Sequence, residues 1–457
     1  MISFDKITKK NVKYELLYRY VRFAHNLIFY KKYQVENKHN IPKGKPIVAI
    51  CNHQNGLSDA LGILFAFSKD GRRPVFIARA DIFRKELWAK LLRFLRIMPA
   101  FRKQDTWAGS GDVSENEKIF NISADIVAKE NNVVCLFPEA GHQDRHTLGT
   151  FKKGFARIAF KAAERTEFKK PIYILPMGNH YSNYFSFQSS LLMNIGEPFE
   201  FSDLYDLYKE QPERAQKILT DRARPKVEAL MLNIKSEEYY EEYEMLCRVY
   251  CRNLIEKNGG NPNNFKERFW AKKRIVESIE HIEHNEPERF KELIGKTHRY
   301  VRLLEKFHLR DWIFRNEPTI GGSLLRFGVG MLLLPFVVAG FLINFLPFNA
   351  STLITRKIKD QMLHSSFHFV VGALFAFPLW YIISFLVLLI FVRWWIALIF
   401  VALIPLSLVI YAYGKTVWRK LYDRLRRFQL WFKGNRFFRE ATDLRKDIIK
   451  DMQEIMK

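Results

Sequence analysis

Two carboxylates and a histidine are the side chains of this 457-residue chain whose spacing allows joint chemistry. The histidine and the first carboxylate lie in Asn52-His53-Gln54-Asn55-Gly56-Leu57-Ser58-Asp59. The second carboxylate follows about 85 residues downstream in Phe137-Pro138-Glu139-Ala140-Gly141-His142. A hydroxyl is a poor nucleophile at neutral pH, so a group that titrates near neutrality is needed to take its proton as it attacks a carbonyl. His53 is the expected base. Asp59 is expected to accept the imidazole N–H on the side away from substrate, fixing the tautomer and stabilising the imidazolium formed during attack. Residues six apart on an ideal helix lie about 240° around its axis, so this pairing needs a loop or turn. Gly56 permits one.

Something must hold these groups, and the hydrophobic pattern from Lys45 to about Phe199 indicates what. Short apolar runs at Ile47 to Cys51, Val75 to Ala78, Val133 to Phe137, Ile172 to Met177 and Leu191 to Ile195 alternate with helical stretches. Runs of this length, mostly bounded by Pro or Gly, read as buried strands, and their alternation with helices requires crossover connections. The expected fold is α/β, a mixed, largely parallel sheet flanked by helices. Reactive groups in such sheets gather just beyond the carboxyl ends of strands. His53 follows the run ending at Cys51, and Glu139 the run ending at Phe137.

The chain here resembles the glycerol-3-phosphate and 1-acylglycerol-3-phosphate acyltransferases, over roughly residues 30 to 200. Four motifs stand in that family's order: His53 with Asp59; Arg102 in Ile97-Met98-Pro99-Ala100-Phe101-Arg102; Phe137-Pro138-Glu139; and Leu175-Pro176-Met177. The resemblance implies that Arg102 and Glu139 bind the acceptor, Glu139 at a glycerol hydroxyl. Two departures are visible. Five residues separate His53 from Asp59 where the family usually has four, and Ala140 stands where glycine is usual. The longer spacing is similar to that of a subset of glycerol-phosphate acyltransferases, as is Phe137 to Arg145 followed by Phe151-Lys152-Lys153-Gly154.

Other residues take supporting parts in this reading. Arg145, Lys152 and Lys153 form a basic loop suited to phosphate, with guanidinium binding through paired hydrogen bonds and lysine as a point charge. Asn52, Gly56, Phe137, Pro138, Gly141, Gly154 and Pro176 are expected to shape the site's surroundings. Backbone N–H groups at a helix start near the first motif are the expected donors to an oxyanion. His142 and His146 read as loop histidines outside the chemistry. No metal is expected: Cys247 and Cys251 stand one helical turn apart without a second ligand pair, and four cysteines in so long a chain fit a reducing compartment. A hydrolase using Ser58 with His53 lacks the Gly-x-Ser-x-Gly elbow, and a non-enzymatic membrane scaffold is the remaining alternative class.

The formal net charge of +25 and the 40 phenylalanines favour an anionic, lipid-rich setting over nucleic acid, for which no motif is present. The expected organisation is an amphipathic interfacial N-terminal helix (1–40), an acyltransferase domain (41–200) and a charged helical subdomain (201–318). A membrane region (319–414) and a basic cytoplasmic tail (415–457) follow. In the membrane region, 367–390 and 394–413 read as spans, and 327–343, interrupted by Gly328, Gly330, Pro335 and Gly340, as a re-entrant or interfacial segment. Met1 to Lys10 is polar and charged, and no secretory signal is expected. The expected location is the inner (cytoplasmic) membrane with the catalytic region in the cytoplasm. Acyl-CoA or acyl carrier protein is the expected thioester donor, with no further cofactor. Glycerol 3-phosphate or 1-acylglycerol 3-phosphate is the expected acceptor, or else another lysolipid or aminolipid precursor. Membrane lipid is the expected partner.

Overall fold

The expected apolar runs form β2 (Ile47–Cys51), β3 (Val75–Arg79), β5 (Val133–Leu136), β6 (Tyr173–Tyr181) and β7 (Ser190–Ile195). Two further strands, β1 (Lys32–Glu36) and β4 (Ile97–Ala100), join them in the computed structural model, which describes residues 4, 7–101, 115–139, 141, 145–315, 320–356, 358 and 363–457. The sheet order is β1-β7-β6-β2-β5-β3-β4. From β6 to β4 the strands are mutually parallel; β7 runs antiparallel to β6, and β1 pairs parallel with β7. β1 and β4 escape the apolar-run pattern because both are edges. β1 is half-buried at most positions, and β4 is four residues long with Pro99 inside it, which an edge tolerates because one side of the strand needs no N–H partner.

The N-terminal helical segment is accordingly shorter than the expected 1–40. α1 (Val12–Phe23) runs into a π-helical turn (Ala24–Phe29), and the chain then extends as β1, with the Lys31 N–H donating to Ser189 O at 2.8 Å. One face of α1 buries Tyr14 and Tyr18 against Phe94 and Phe65. The opposite face exposes Val12, Leu16, Tyr20, Phe23 and Leu27 at helical spacing.

Helices cover both faces of the sheet. α2 (Leu57–Ala66) follows β2 and packs Ile63 and Ala66 with Ile47, Ala49, Cys51, Leu175 and Met177. α3 (Glu86–Phe94) links β3 to β4. On the other face α4 (Glu115–Ala128), α5 (Gly154–Arg165), α6 (Tyr205–Glu210) and α7 (Pro212–Glu228) bury Phe160, Tyr205, Leu219 and Val227 against Val48, Val134 and Ile174. Each such side chain contributes about 1.5–3 kcal/mol by leaving water. Residues 201–233, which composition groups with the charged helices, thus share the core of the sheet. The first compact unit is Met1–Asn233 together with Ile358–Phe369.

The second unit is Ile234–Lys357 with Val370–Lys457. Its charged part is α8 (Tyr240–Lys257), α9 (Phe265–Asn285) and α10 (Pro287–Phe307). Cys247 and Cys251 are buried in α8 and face carbonyls of α9. The apolar part holds α11 (Ile320–Thr355), α13 (Phe377–Phe391) and α14 (Trp394–Phe432), while the short α12 (His364–Phe367) belongs to the first unit. Residues 327–343 do not break the helix. They lie within the single 36-residue α11, because one N–H missing at Pro335 costs a single ladder bond, which an apolar helix accommodates. Among the described residues, three helices are therefore long and apolar enough to cross a membrane: Leu324–Thr355, His364–Phe391 and Trp394–Phe432.

α11 and α14 pack closely and antiparallel. A Cβ on Gly340 would lie 2.5 Å from Ser407 O, and Asn344 Nδ2 donates to Ser407 Oγ at 2.8 Å. The basic segment from 415 onward is helical as well. It completes α14 and continues as α15 (Arg436–Ile455), where Arg445 pairs with the buried Asp311 at 2.7 Å and Lys296 of α10 with Asp451 at 2.8 Å.

Candidate active site

β2 ends at Cys51, and the next five residues turn through Gly56 into α2. Gly56 has φ +50° and ψ −123°, a conformation that side chains disfavour. This turn brings Asp59, in the first turn of α2, back towards His53. Nδ1 of His53 lies 2.8 Å from Asp59 Oδ2. The same oxygen accepts the N–H groups of Gln54 and Asn55, both at 2.7 Å, while Oδ1 accepts Asn179 Nδ2 at 2.8 Å and Tyr181 OH at 2.6 Å. Asp59 is fully buried, yet among the described residues its oxygens meet hydrogen-bond donors: the His53 ring, two backbone N–H groups, an amide and a phenol. A carboxylate so surrounded accepts, so in the neutral form of the ring the hydrogen belongs on Nδ1, which leaves Nε2 as the basic nitrogen. The His53 side chain keeps 17% exposure, enough to meet a reactant.

The ring is held on its flat side too. Phe137 stacks on it with centroids 4.1 Å apart and planes 15° from parallel. Asn52, fully buried, clasps Asn179: Asn179 N–H donates to Asn52 Oδ1 at 2.8 Å and Asn179 Nδ2 to Asn52 O at 3.1 Å. This clasp orients the amide that meets Asp59. Asn55 Nδ2 donates to Tyr184 O and Gln54 Nε2 to Arg145 O, tying the loop to its neighbours on both sides.

Glu139 joins the two motifs. Its Oε1 accepts the His53 N–H at 2.8 Å and its Oε2 the Gly149 N–H at 2.6 Å. A Cβ on Gly149 would stand 2.9 Å from Oε2, so glycine is what lets the backbone approach. Burial raises the Glu139 pKa above its usual value, although the two backbone donors pull the other way. A carboxylate has about four acceptor positions, so these contacts leave capacity for a hydroxyl. Burial, then the charge of Asp59, pushes Tyr181 well above the usual phenol range, so it stays a donor. Cys51 is likewise pushed up by burial and remains a thiol.

The basic loop divides. The Lys152 N–H donates to Pro138 O at 2.8 Å, which fixes the loop on the Phe137-Pro138-Glu139 motif, while its side chain is exposed. Lys153 precedes α5 and pairs with Glu213 of α7 at 2.8 Å, where Arg157 also reaches the same carboxylate. Arg145 is exposed, as is Gly141; Gly154 opens α5, and Pro176 sits within β6, where its carbonyl accepts from Gly196. Arg102, Ala140 and His142 lie outside the described residues. His146 is buried and its Nδ1 lies 2.9 Å from Tyr184 OH. Ser58 is buried in the first turn of α2 at 1% exposure.

The N–H groups of the first motif are largely spoken for: His53 to Glu139, Gln54 and Asn55 to Asp59, Ser58 to Asn55 O, and Leu57 to Ser366 Oγ. Sequence reasoning does not reach Asn179, Tyr181 or Gly149. A signal for the first two exists: β6 stays apolar through Met177 and then turns polar, and residues 179 and 181 share a face of the strand.

Residues 32–179 match the family model described as Acyltransferase, a span running from the first residue of β1 to Asn179. That match supports acyl transfer in lipid metabolism as the activity of this domain. Among curated proteins, no sequence matches the chain.

Proposed function

We propose that this protein is a membrane-associated O-acyltransferase that moves a fatty acyl group from acyl-CoA or acyl carrier protein to glycerol 3-phosphate or 1-acylglycerol 3-phosphate. Another lysolipid or aminolipid acceptor would use the same groups. The observation that carries the reading is the His53 ring, fixed through Nδ1 by a buried, donor-saturated Asp59 and partly open to solvent. Nε2 takes the hydroxyl proton as the oxygen attacks the thioester carbonyl. The tetrahedral intermediate then collapses, the C–S bond breaks, and the proton passes to the departing thiolate, so ester and thiol are the products. Glu139 supports the site by bracing the His53 backbone, with capacity left to orient an acceptor hydroxyl. Arg102 is assigned to the acceptor's phosphate by the resemblance, and Arg145, Lys152 and Lys153 by charge alone.

Setting agrees with substrate. Acyl chains partition into lipid while thioester donors arrive from water, so the reaction belongs at an interface. The exposed stripe of α1, flanked by Lys13, Arg19 and Arg22, suits the headgroup layer of an anionic membrane, and the three apolar helices suit anchorage. We place the enzyme in the inner membrane with its site facing the cytoplasm. The rival hydrolase reading loses support because Ser58 is sealed.

Purified protein in lipid vesicles, given both labelled thioesters and a panel of glycerol-phosphate and lysolipid acceptors, should yield an ester identified by product mass. Acyl transfer persisting in His53→Ala would refute the assignment.

A further inference from the structure

α2 begins at a residue with no side chain. Gly56 occupies its N-cap position, so the cap residue supplies no side-chain oxygen to the first backbone N–H groups of the helix. The Leu57 N–H finds its partner 309 residues along the chain, donating to Ser366 Oγ at 2.9 Å. Ser366 sits in α12, at the head of the apolar helix His364–Phe391, and belongs to the same compact unit as α2. It is buried, as is Ser365. Further contacts fasten this stretch. The Phe369 ring, 1% exposed, lies 5.1 Å from Phe29 and 5.7 Å from His25, and His364 Nε2 is 3.0 Å from Ile358 O.

We propose that Ser366 is a positioning residue for acyl transfer. Its hydroxyl holds the first N–H of α2 and so fixes the turn that carries Asp59, and through Asp59 the ring of His53. The inference rests on the acyl-transfer reading of His53. On this assignment the aqueous chemistry takes one of its fixing contacts from the root of a helix whose remainder is apolar enough for lipid. The bond joins the first N–H of a helix to an acceptor that the N-cap Gly56 cannot supply.

The test uses the full chain in lipid vesicles, with labelled palmitoyl-CoA and glycerol 3-phosphate or 1-acylglycerol 3-phosphate. Ser366→Ala should lower kcat about fivefold, the scale of one lost hydrogen bond, with KM for the thioester unchanged. Ser366→Thr, which keeps the hydroxyl, should restore the rate. Leu57→Pro removes the donor instead, at a first helical position where proline is tolerated, and should slow the enzyme similarly. Combining it with Ser366→Ala should add nothing, because both changes delete the same bond. Should Ser366→Ala fail to fold, Leu57→Pro carries the test. A wild-type or raised kcat in Ser366→Ala overturns the proposal, as does equal loss in Ser366→Thr or a change confined to KM. His53→Ala measured alongside separates the two levels. If it stays active, the acyl-transfer reading falls; if it is inactive while Ser366→Ala is unaffected, only the role of Ser366 falls.

Discussion

Replacing Asp59 by Asn tests the core of the mechanism with the smallest change of shape. During attack His53 becomes an imidazolium whose Nδ1 is 2.8 Å from Asp59 Oδ2, which sets the charge centres roughly 4 Å apart. With an effective dielectric of about 20, that attraction is worth about 4 kcal/mol, or about a thousandfold in kcat. The introduced amide must also choose a side. Towards Oδ2 its nitrogen would face three donors; towards Oδ1 it would face Tyr181, whose hydroxyl can rotate to accept, and Asn179 Nδ2, which cannot because Asn52 holds it. The second arrangement keeps the ring tautomer and leaves one donor facing another, costing about 1–3 kcal/mol of stability. Steady-state acyl transfer should therefore be compared below the unfolding transition of both proteins. Asp59→Asn should lose about three orders of magnitude in kcat, and adding it to His53→Ala should cost nothing more. Retention of more than about a tenth of the wild-type kcat would mean that the carboxylate does not stabilise the imidazolium.

Tyr181→Phe removes the 2.6 Å bond to Asp59 and should lower stability by about 1.5–3 kcal/mol, read as a shift of the thermal midpoint; an unmoved midpoint would show that the bond is dispensable. Gly149→Ala places a methyl 2.9 Å from Glu139 Oε2 and should cost about 1–3 kcal/mol by overpacking, whereas Gly141→Ala, with nothing within 4 Å, should cost far less; equal effects would contradict the brace. Glu139 has a folded pKa raised above its ordinary 4.5, so its proton is bound more tightly when folded. Its ionisation therefore costs stability, an effect absent below 4.5 and complete above the raised value. The stability of Glu139→Gln relative to wild type should rise with pH across that window, and a flat or falling difference in unfolding midpoints would reverse the sign of the argument.

The catalytic sheet is legible where burial imposes pattern. Ile47 to Cys51 is buried on both faces and reads as a strand from residue type alone, but Lys32 to Glu36 is an edge whose pairing with β7 only the fold supplies. The His53 and Asp59 pairing is readable because Gly56 announces the turn that makes it possible. Asn179 and Tyr181 are harder, since a polar residue at a strand end has many reasons to exist, and only the approach of α2 gives them Asp59 to bind. Ser366 is harder still: its partner lies 309 residues away, and no local rule connects them. Pro335 misleads for an opposite reason. In water it argues for a break, whereas within a long apolar run the helix closes around it.

Hydrocarbon tails are as apolar as leucine, so greasiness alone gives α11 no reason to prefer α14 over lipid. The groove at Gly340 and the amide of Asn344 against Ser407 provide one. Cohesion in this part of the molecule thus comes from depth of contact and one polar grip, which persist whether the surroundings are bilayer or detergent. A bulkier residue at that groove would prise the two helices apart.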